Sequence, residues 1–256
     1  MNQATHCVSY SFRMASAFPT PGHDAQVVVF DFDHTLFDGD SFSHALRWML
    51  KRHAWRRIAA VLATPILGPM VAYLPLRRRG IGGYVWIATV GLHRRRSLDE
   101  LLDRYVTGHT TELKALLLPI GFEVLHRHRT AGDRVVVATG APPELARAIL
   151  KFVAHEDVPV IGTATGPRFG AVVATRHCHH QEKVRMLRER GYTDIAVAYT
   201  DSSADLPLLL AARTPVVVNP KAEKIDMFRR VLPPGTRIVH WGSTDRSGDV
   251  FDRAEP

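Results

Sequence analysis

At 256 residues and 46% apolar composition, the chain has enough material for one large domain with a real core, or for one domain carrying a substantial insertion. Its two cysteines, Cys7 and Cys178, exclude a disulfide framework and point to a reducing compartment. The net charge of +8 is localised: Ser41 to Leu98 holds eleven of the 33 Lys and Arg and no Asp or Glu, leaving 22 basic residues against 25 acidic ones elsewhere. Such a segment calls for a polyanionic partner, which leaves nucleic acid, an anionic membrane face or a multiply charged substrate open.

Residues 1–25 lack an apolar run long enough for a signal-peptide core and are broken by Pro19, Pro21 and Gly22, so they read as a mobile leader. Unbroken apolar runs then recur at Val27–Phe30, Val135–Thr139, Val158–Ile161, Ile195–Tyr199 and Val216–Val218. Runs without polar alternation suit strands covered on both faces. Helix-like stretches separate the later runs, at Pro142–Ala154, Gln181–Arg190, Ala204–Ala212 and Lys221–Arg230. Pro143 and Gly191 stand where helix boundaries favour them. Val172 and Val173 after Gly170 suit a short hairpin strand. The alternation predicts a parallel α/β sheet with helices on both faces. Its core is expected at residues 26–40 and 130–232, interrupted by a helical, basic cap over 41–129, with a loosely held polar tail over 233–256. Leucine spacings near three and four over Leu98 to Leu118 predict an amphipathic helix within the cap.

The same insertion contains IAAVLATPILGPMVAYLPL, Ile58 to Leu76, which carries no charge. As a helix it would measure roughly 28 Å, close to the hydrocarbon thickness of a bilayer. Pro65, Pro69 and Pro75 argue against one straight helix. Arginines on both flanks favour a re-entrant or interfacial hairpin over a single crossing, with both ends on the cytoplasmic side. A soluble cap would instead bury these residues in its own core.

In a parallel sheet, residues just past the strand C-termini form the natural site. Asp31, Asp33 and Thr35 follow the first strand in DFDHT, Thr139 and Gly140 close the second, and Asp201, Ser202 and Asp205 follow IAVAYT. Carboxylates gathered at one edge repel unless a cation joins them, and an oxygen-only set suits Mg²⁺. His177, Cys178, His179 and His180 lack a second ligand pair at zinc spacing and read as a basic loop near the site.

This set resembles the haloacid dehalogenase superfamily of phosphatases, in its phosphoserine-phosphatase-like branch with a type-one cap. The motifs are DFDHT, the strand-closing Thr139, Lys183 in HQEKV, and YTDSSAD, where Thr200 stands in place of the usual glycine. The resemblance implies a Rossmann-like core with an inserted helical cap. It also implies Asp31 as nucleophile, Asp33 as acid and base, and Thr139, Gly140 and Lys183 as phosphoryl holders. Mg²⁺ would be held by Asp31, the Asp33 carbonyl and Asp201, with Asp205 positioning its ligands. Thr35 is carried with the first motif as a substrate-side residue.

The stretch from Ser41 to Leu98 offers no carboxylate to meet an ammonium group, which disfavours a zwitterionic amino-acid substrate. Arginines interleaved with apolar stretches suit a phosphorylated lipid at an anionic phospholipid membrane. LRWMLKR, the proline-interrupted run, and DSSADLPLL are similar to the phosphatidylglycerophosphatase C family, which implies phosphatidylglycerophosphate as substrate at the inner face of a bacterial cytoplasmic membrane. Arg47, Lys51 and Arg52 are the expected head-group contacts. A soluble phosphomonoesterase is the alternative. A nucleic-acid-binding protein on this scaffold is disfavoured by the intact catalytic set and by a cap without a nucleic-acid motif.

Overall fold

A computed structural model describes residues 25–92 and 94–242. The expected leader lies outside them except for Ala25, as does the tail beyond Gly242. The chain begins in β1 (Val27–Phe30), then runs through a helical segment: α1 (Ser41–Lys51), α2 (Ala54–Ala72), a 3₁₀ turn at Leu74–Leu76, α3 (Arg77–Thr89), α4 (Arg95–Gly108), α5 (Thr110–Lys114) and α6 (Pro119–Thr130). It returns in β2 (Arg134–Ala138), followed by α7 (Pro143–Ile149), a π turn over Leu150–Ala154 and β3 (Val160–Ile161). Next come β4 (Ala164–Arg168), β5 (Ala171–Arg176), α8 (Gln181–Glu189) and β6 (Ile195–Thr200). A 3₁₀ turn at Ser203–Asp205, α9 (Leu206–Ala211), β7 (Ala212–Val218), α10 (Ala222–Val231) and β8 (Arg237–Val239) complete the described chain.

Six strands form one parallel sheet in the order β3-β2-β1-β6-β7-β8. Its two faces are covered by separate apolar clusters, as the unbroken runs require. Val28, Phe30, Val135 and Val137 pack on one side, and Val27, Val29, Val136 and Ala138 on the other. The chain leaves β1 toward β2 on one side and reaches β6 on the other, so β1 is the topological switch point where α/β sheets open a crevice. Register places Phe30 beside Val137 and Tyr199, which aligns Asp31, Thr139 and Thr200 at one edge.

Three sequence expectations change. Pro65 and Pro69 do not interrupt α2, which runs on to Ala72 and stops at the extended Tyr73, whose N–H donates to the Pro69 carbonyl. The bend comes one turn later: α2 and the 74–89 segment meet at 116°. Glycines permit the close approach of α3, since a Cβ on Gly80 would lie 2.9 Å from the Val71 backbone nitrogen. Buried Arg56 closes the other end of the hairpin by donating to the Ile87 carbonyl at 2.5 Å and the Val90 carbonyl at 2.7 Å. The helix expected over Leu98 to Leu118 is divided at His109 into α4 and α5. The stretch after Pro233 is not loose as far as Gly242: β8 extends the sheet, and buried Trp241 lies 5.5 Å from the Tyr199 ring. Exposed Arg237 and half-buried alternation hide this short edge strand from an apolar-run criterion.

Candidate active site

Asp31 lies buried just past β1, where its N–H continues the ladder to the Tyr199 carbonyl at 2.8 Å. One carboxylate oxygen, Oδ1, accepts from the Phe32 N–H at 2.8 Å and from Lys183 Nζ at 3.0 Å. The same ammonium reaches Asp205 Oδ2 at 2.5 Å, so Lys183 bridges two carboxylates from the first turn of α8. Thr200 Oγ1 lies 3.3 Å from Asp31 Oδ2 and 3.1 Å from Asp205 Oδ2. A hydroxyl has one proton, so it serves one of the two at a time. Thr200, read from sequence as a departure from the family glycine, therefore joins the cluster. The signal for it was its place at the end of β6, directly before Asp201.

Asp33 faces the other side of the turn. Its Oδ1 accepts from the Ser41 N–H at 2.8 Å, tying it to the start of α1, and its Oδ2 accepts from Thr139 Oγ1 at 3.3 Å. Thr139 in turn accepts from the Ala141 N–H at 3.0 Å. The tight turn is made by His34 at φ 58°, after which the Leu36 and Phe37 N–H groups return to the Phe32 carbonyl. Thr35 is wholly buried, and its Oγ1 has no hydrogen-bond partner among the described residues.

The electrostatics separate the four aspartates. Burial drives the Asp31 carboxyl well above the ordinary range against the pull of Lys183, with Asp205, Asp201 and Asp33 adding repulsion. Burial also raises Asp33, opposed by its hydrogen bonds from Ser41. Asp201 is pushed up to about 6 by burial, opposed mainly by His34. Burial works against charge on Asp205 too, but Lys183 more than offsets it and holds this carboxyl below its usual value. Lys183 stays cationic because Asp205 and Asp31 outweigh its burial.

Two of the four carboxylates, those of Asp31 and Asp205, thus share one ammonium. Among the described residues no three His, Cys, Asp or Glu side chains converge as a formed metal shell. The donor set nonetheless fits a hard cation. Asp205 Oδ1 is buried without a partner, burial raises the Asp31 carboxyl and its acidic neighbours add to the rise, and all candidate donors are oxygens.

The expected head-group residues lie elsewhere. Arg47 and Lys51 are exposed on α1, and half-buried Arg52 is depressed by burial and by Arg104. Among the described residues none is joined to the carboxylates by a hydrogen bond or ion pair. Gly140 is exposed at the edge, and its carbonyl accepts from Thr163 Oγ1 at 2.6 Å. Cys178 is buried, its thiol pushed up to about 12 by burial, which suits a packed side chain rather than a metal ligand. Two surface hollows, of about 320 and 390 Å³, lie away from this edge, one along α8 and α9 and one at the opposite end of the sheet. Chemistry, not concavity, marks the site.

A family model described as haloacid dehalogenase-like hydrolase matches residues 28–210. Among solved structures, a protein of unknown function from Bordetella pertussis Tohama I is similar at 18% identity and TM-score 0.64, with 84% of this chain and 99% of that one covered. A probable phosphoserine phosphatase from Vibrio cholerae is similar at 14% identity and TM-score 0.54, covering 86% of this chain and 61% of that one. A phosphoserine phosphohydrolase-like protein from Francisella tularensis is similar at 14% identity and TM-score 0.50, with 83% and 94% covered. At these identities the likeness establishes the fold.

Proposed function

The chain belongs to the haloacid dehalogenase-like hydrolases, and on that premise we propose that it is a phosphatase that cleaves phosphate monoesters through an aspartyl phosphate on Asp31. The observation that carries this reading is the convergence of Asp31, Asp33, Thr139, Lys183, Thr200 and Asp205 at the switch-point edge of the sheet.

In this reading Asp31 Oδ2, which among the described residues meets the Thr200 hydroxyl, attacks phosphorus while Lys183 orients the carboxylate through Oδ1. Asp33, whose raised affinity for a proton suits an acid, protonates the departing alkoxide and afterwards takes a proton from the water that opens the acyl phosphate. Thr139 and the Gly140 N–H hold the phosphoryl oxygens as charge moves among them. Asp31, Asp201 and the Asp33 carbonyl would hold Mg²⁺, with Asp205 behind them. Bound there, the ion would neutralise the carboxylate edge so that a phosphate can approach.

For substrate, the specific observation is on α2. Ile58, Val61, Leu62 and Ile66 are exposed along one side, Tyr73 and Leu74 are exposed just past its end, and Leu62 and Leu74 are each 74% exposed. Exposed Lys51 and Arg57 precede this face, and exposed Arg77, Arg78 and Arg79 follow it. No single described helix is long and apolar enough to cross a membrane, while the bent pair passes that test together. An apolar face ringed by arginines suits interfacial docking on anionic lipid. It favours a lipid phosphomonoester, such as phosphatidylglycerophosphate, taken at the inner face of a cytoplasmic membrane. The names of the similar structures favour a second reading, a soluble small-molecule phosphomonoesterase. Against phosphoserine itself stands the absence of any Asp or Glu between Ser41 and Leu98 to meet its ammonium group.

Phosphate release by purified protein, with and without Mg²⁺, from phosphatidylglycerophosphate in mixed micelles, phosphatidic acid and phosphoserine separates these readings. The expected result is Mg²⁺-dependent release from the first, reduced on the order of 10⁴-fold or more by Asp31→Asn. Preference for phosphoserine keeps the chemistry and sinks the lipid reading. No Mg²⁺-dependent release from any ester sinks both.

A further inference from the structure

Arg78 stands in the first turn of α3, not on α1. Helix α3 lies along β5, and its last turn is fastened there: Thr89 Oγ1 donates to the Val172 carbonyl at 2.8 Å, and the Gly91 N–H donates to the Gly170 carbonyl at 2.7 Å. From Thr89 back to Arg78 the helix rises roughly 16 Å, and from Val172 forward to His177 the chain advances roughly 17 Å. The two run in opposite directions, so the first turn of α3 stands beside the end of β5. The imidazoles of His177 and His179 agree with this placement. Each is held below its ordinary value first by burial, and the Arg78 charge contributes to both; His179 also feels Asp205 and Lys183.

The loop carrying these histidines is built into the site. The Cys178 N–H donates to Thr163 Oγ1 at 3.1 Å, and Thr163 donates to the Gly140 carbonyl. His180 takes φ 54° to start α8, and its carbonyl receives the Lys183 N–H at 3.1 Å. The acids nearby are already engaged, since Arg176 donates to Glu182 at 2.5 Å and to Glu189 at 2.6 and 2.9 Å. Arg78 is exposed, and among the described residues it enters no ion pair.

We propose that Arg78, His177 and His179 form an anion subsite beside the phosphoryl position, and that it binds a second phosphate group carried by the same substrate molecule. This rests on the phosphatase reading above and assigns it a substrate class, a phosphomonoester bearing a further phosphate. A guanidinium and two imidazole N–H groups offer the directed donors that such a group requires.

Methylphosphonate and methylenebisphosphonate, which carry one and two phosphonate groups, test the subsite by calorimetry in buffer free of divalent ions. The wild-type protein is expected to bind the bisphosphonate about tenfold more tightly or better. Arg78→Gln is expected to cut that preference below about threefold, and Arg229→Gln on the remote α10 to leave it intact. Imidazole resonances assigned through His177→Gln and His179→Gln should move with the bisphosphonate. Equal affinity for the two probes, or a preference that survives Arg78→Gln, overturns the proposal. So do resonances that move only with phosphatidylglycerol vesicles, since the anion would then come from the membrane. Mg²⁺-dependent hydrolysis of p-nitrophenyl phosphate by the same preparation keeps the two readings apart. Its absence with the preference retained removes the phosphatase reading and keeps the subsite, while its presence without the preference removes the subsite alone.

Discussion

The sheet edge at Asp31 and the outer side of α2 depart from ordinary burial in opposite directions. At the edge, Asp31, Lys183 and Asp205 are charged groups withdrawn almost entirely from water. On α2 and just past it, Leu62, Ile66 and Leu74 are apolar groups left largely in it. Both arrangements cost stability in isolation. A buried ion pair recovers through mutual attraction only part of what desolvation takes, and an exposed aliphatic side chain forgoes the roughly 1.5–3 kcal/mol that burial would contribute. On the reading proposed above, the first region serves a reacting phosphoryl group and the second a lipid surface. The two are joined mechanically, because Arg56 and the Gly80 contact hold α2 against α3, and α3 is fastened to β5.

Beyond loss of turnover in Asp31→Asn, the comparison breaks most visibly at Lys183. Lys183→Met leaves Asp31 and Asp205 buried without their cation and should destabilise the protein by about 3–5 kcal/mol, read from urea unfolding. Gly80→Ala should cost about 1–3 kcal/mol, because its Cβ meets the backbone of Val71 rather than a side chain that can swing aside. An unchanged unfolding midpoint would mean that the hairpin is looser than described. The double change Leu62→Asp and Ile66→Asp should move stability by no more than about 0.5 kcal/mol per site. It should also weaken sedimentation with phosphatidylglycerol vesicles by about tenfold or more. Destabilisation instead, with no vesicle effect, would assign this face to contacts within the protein.

The smallest effect sharpens the electrostatic half. Asp201 has a folded-state value of about 6 against an ordinary 3.8, so it favours the fold when protonated. Its contribution is complete below about pH 4 and lost as pH rises through about 6. Without divalent ions, wild type should therefore fall behind Asp201→Asn in melting temperature by roughly 2–4 °C between pH 4 and 7. Mg²⁺ should close that gap in the wild type alone. A gap that does not depend on pH would remove Asp201 from the charged edge.

Much of this was legible from residue order. A strand buried on both faces must be apolar at every position, so β1, β2 and β6 announce themselves, and polar residues following them fall at the sheet edge by topology alone. Asp31, Asp33, Thr139, Lys183, Asp201 and Asp205 were named as candidates in this way or by resemblance. The proline rule failed at α2, because Pro65 and Pro69 each remove one hydrogen bond from a helix that neighbouring α3 still supports. Strand β8 escaped notice because an edge strand needs only one good neighbour, and its pairing with β7 depends on backbone groups that carry no residue signature.

The sequence by itself determined the sheet, the carboxylate motif and the uneven charge of the cap, because these depend on residue type at short spacing. Only the tertiary structure decided which basic residues come near the His177 loop. Arg47, Lys51 and Arg52 follow Asp33 closely in the chain, yet α1 presents Arg47 and Lys51 to solvent. Arg78 is 45 residues beyond Asp33 and is brought toward His177 by the run of α3 along β5. Proximity along the chain decays within a helical turn or two, whereas proximity across packed elements is set by crossing angles and register, which no local pattern encodes.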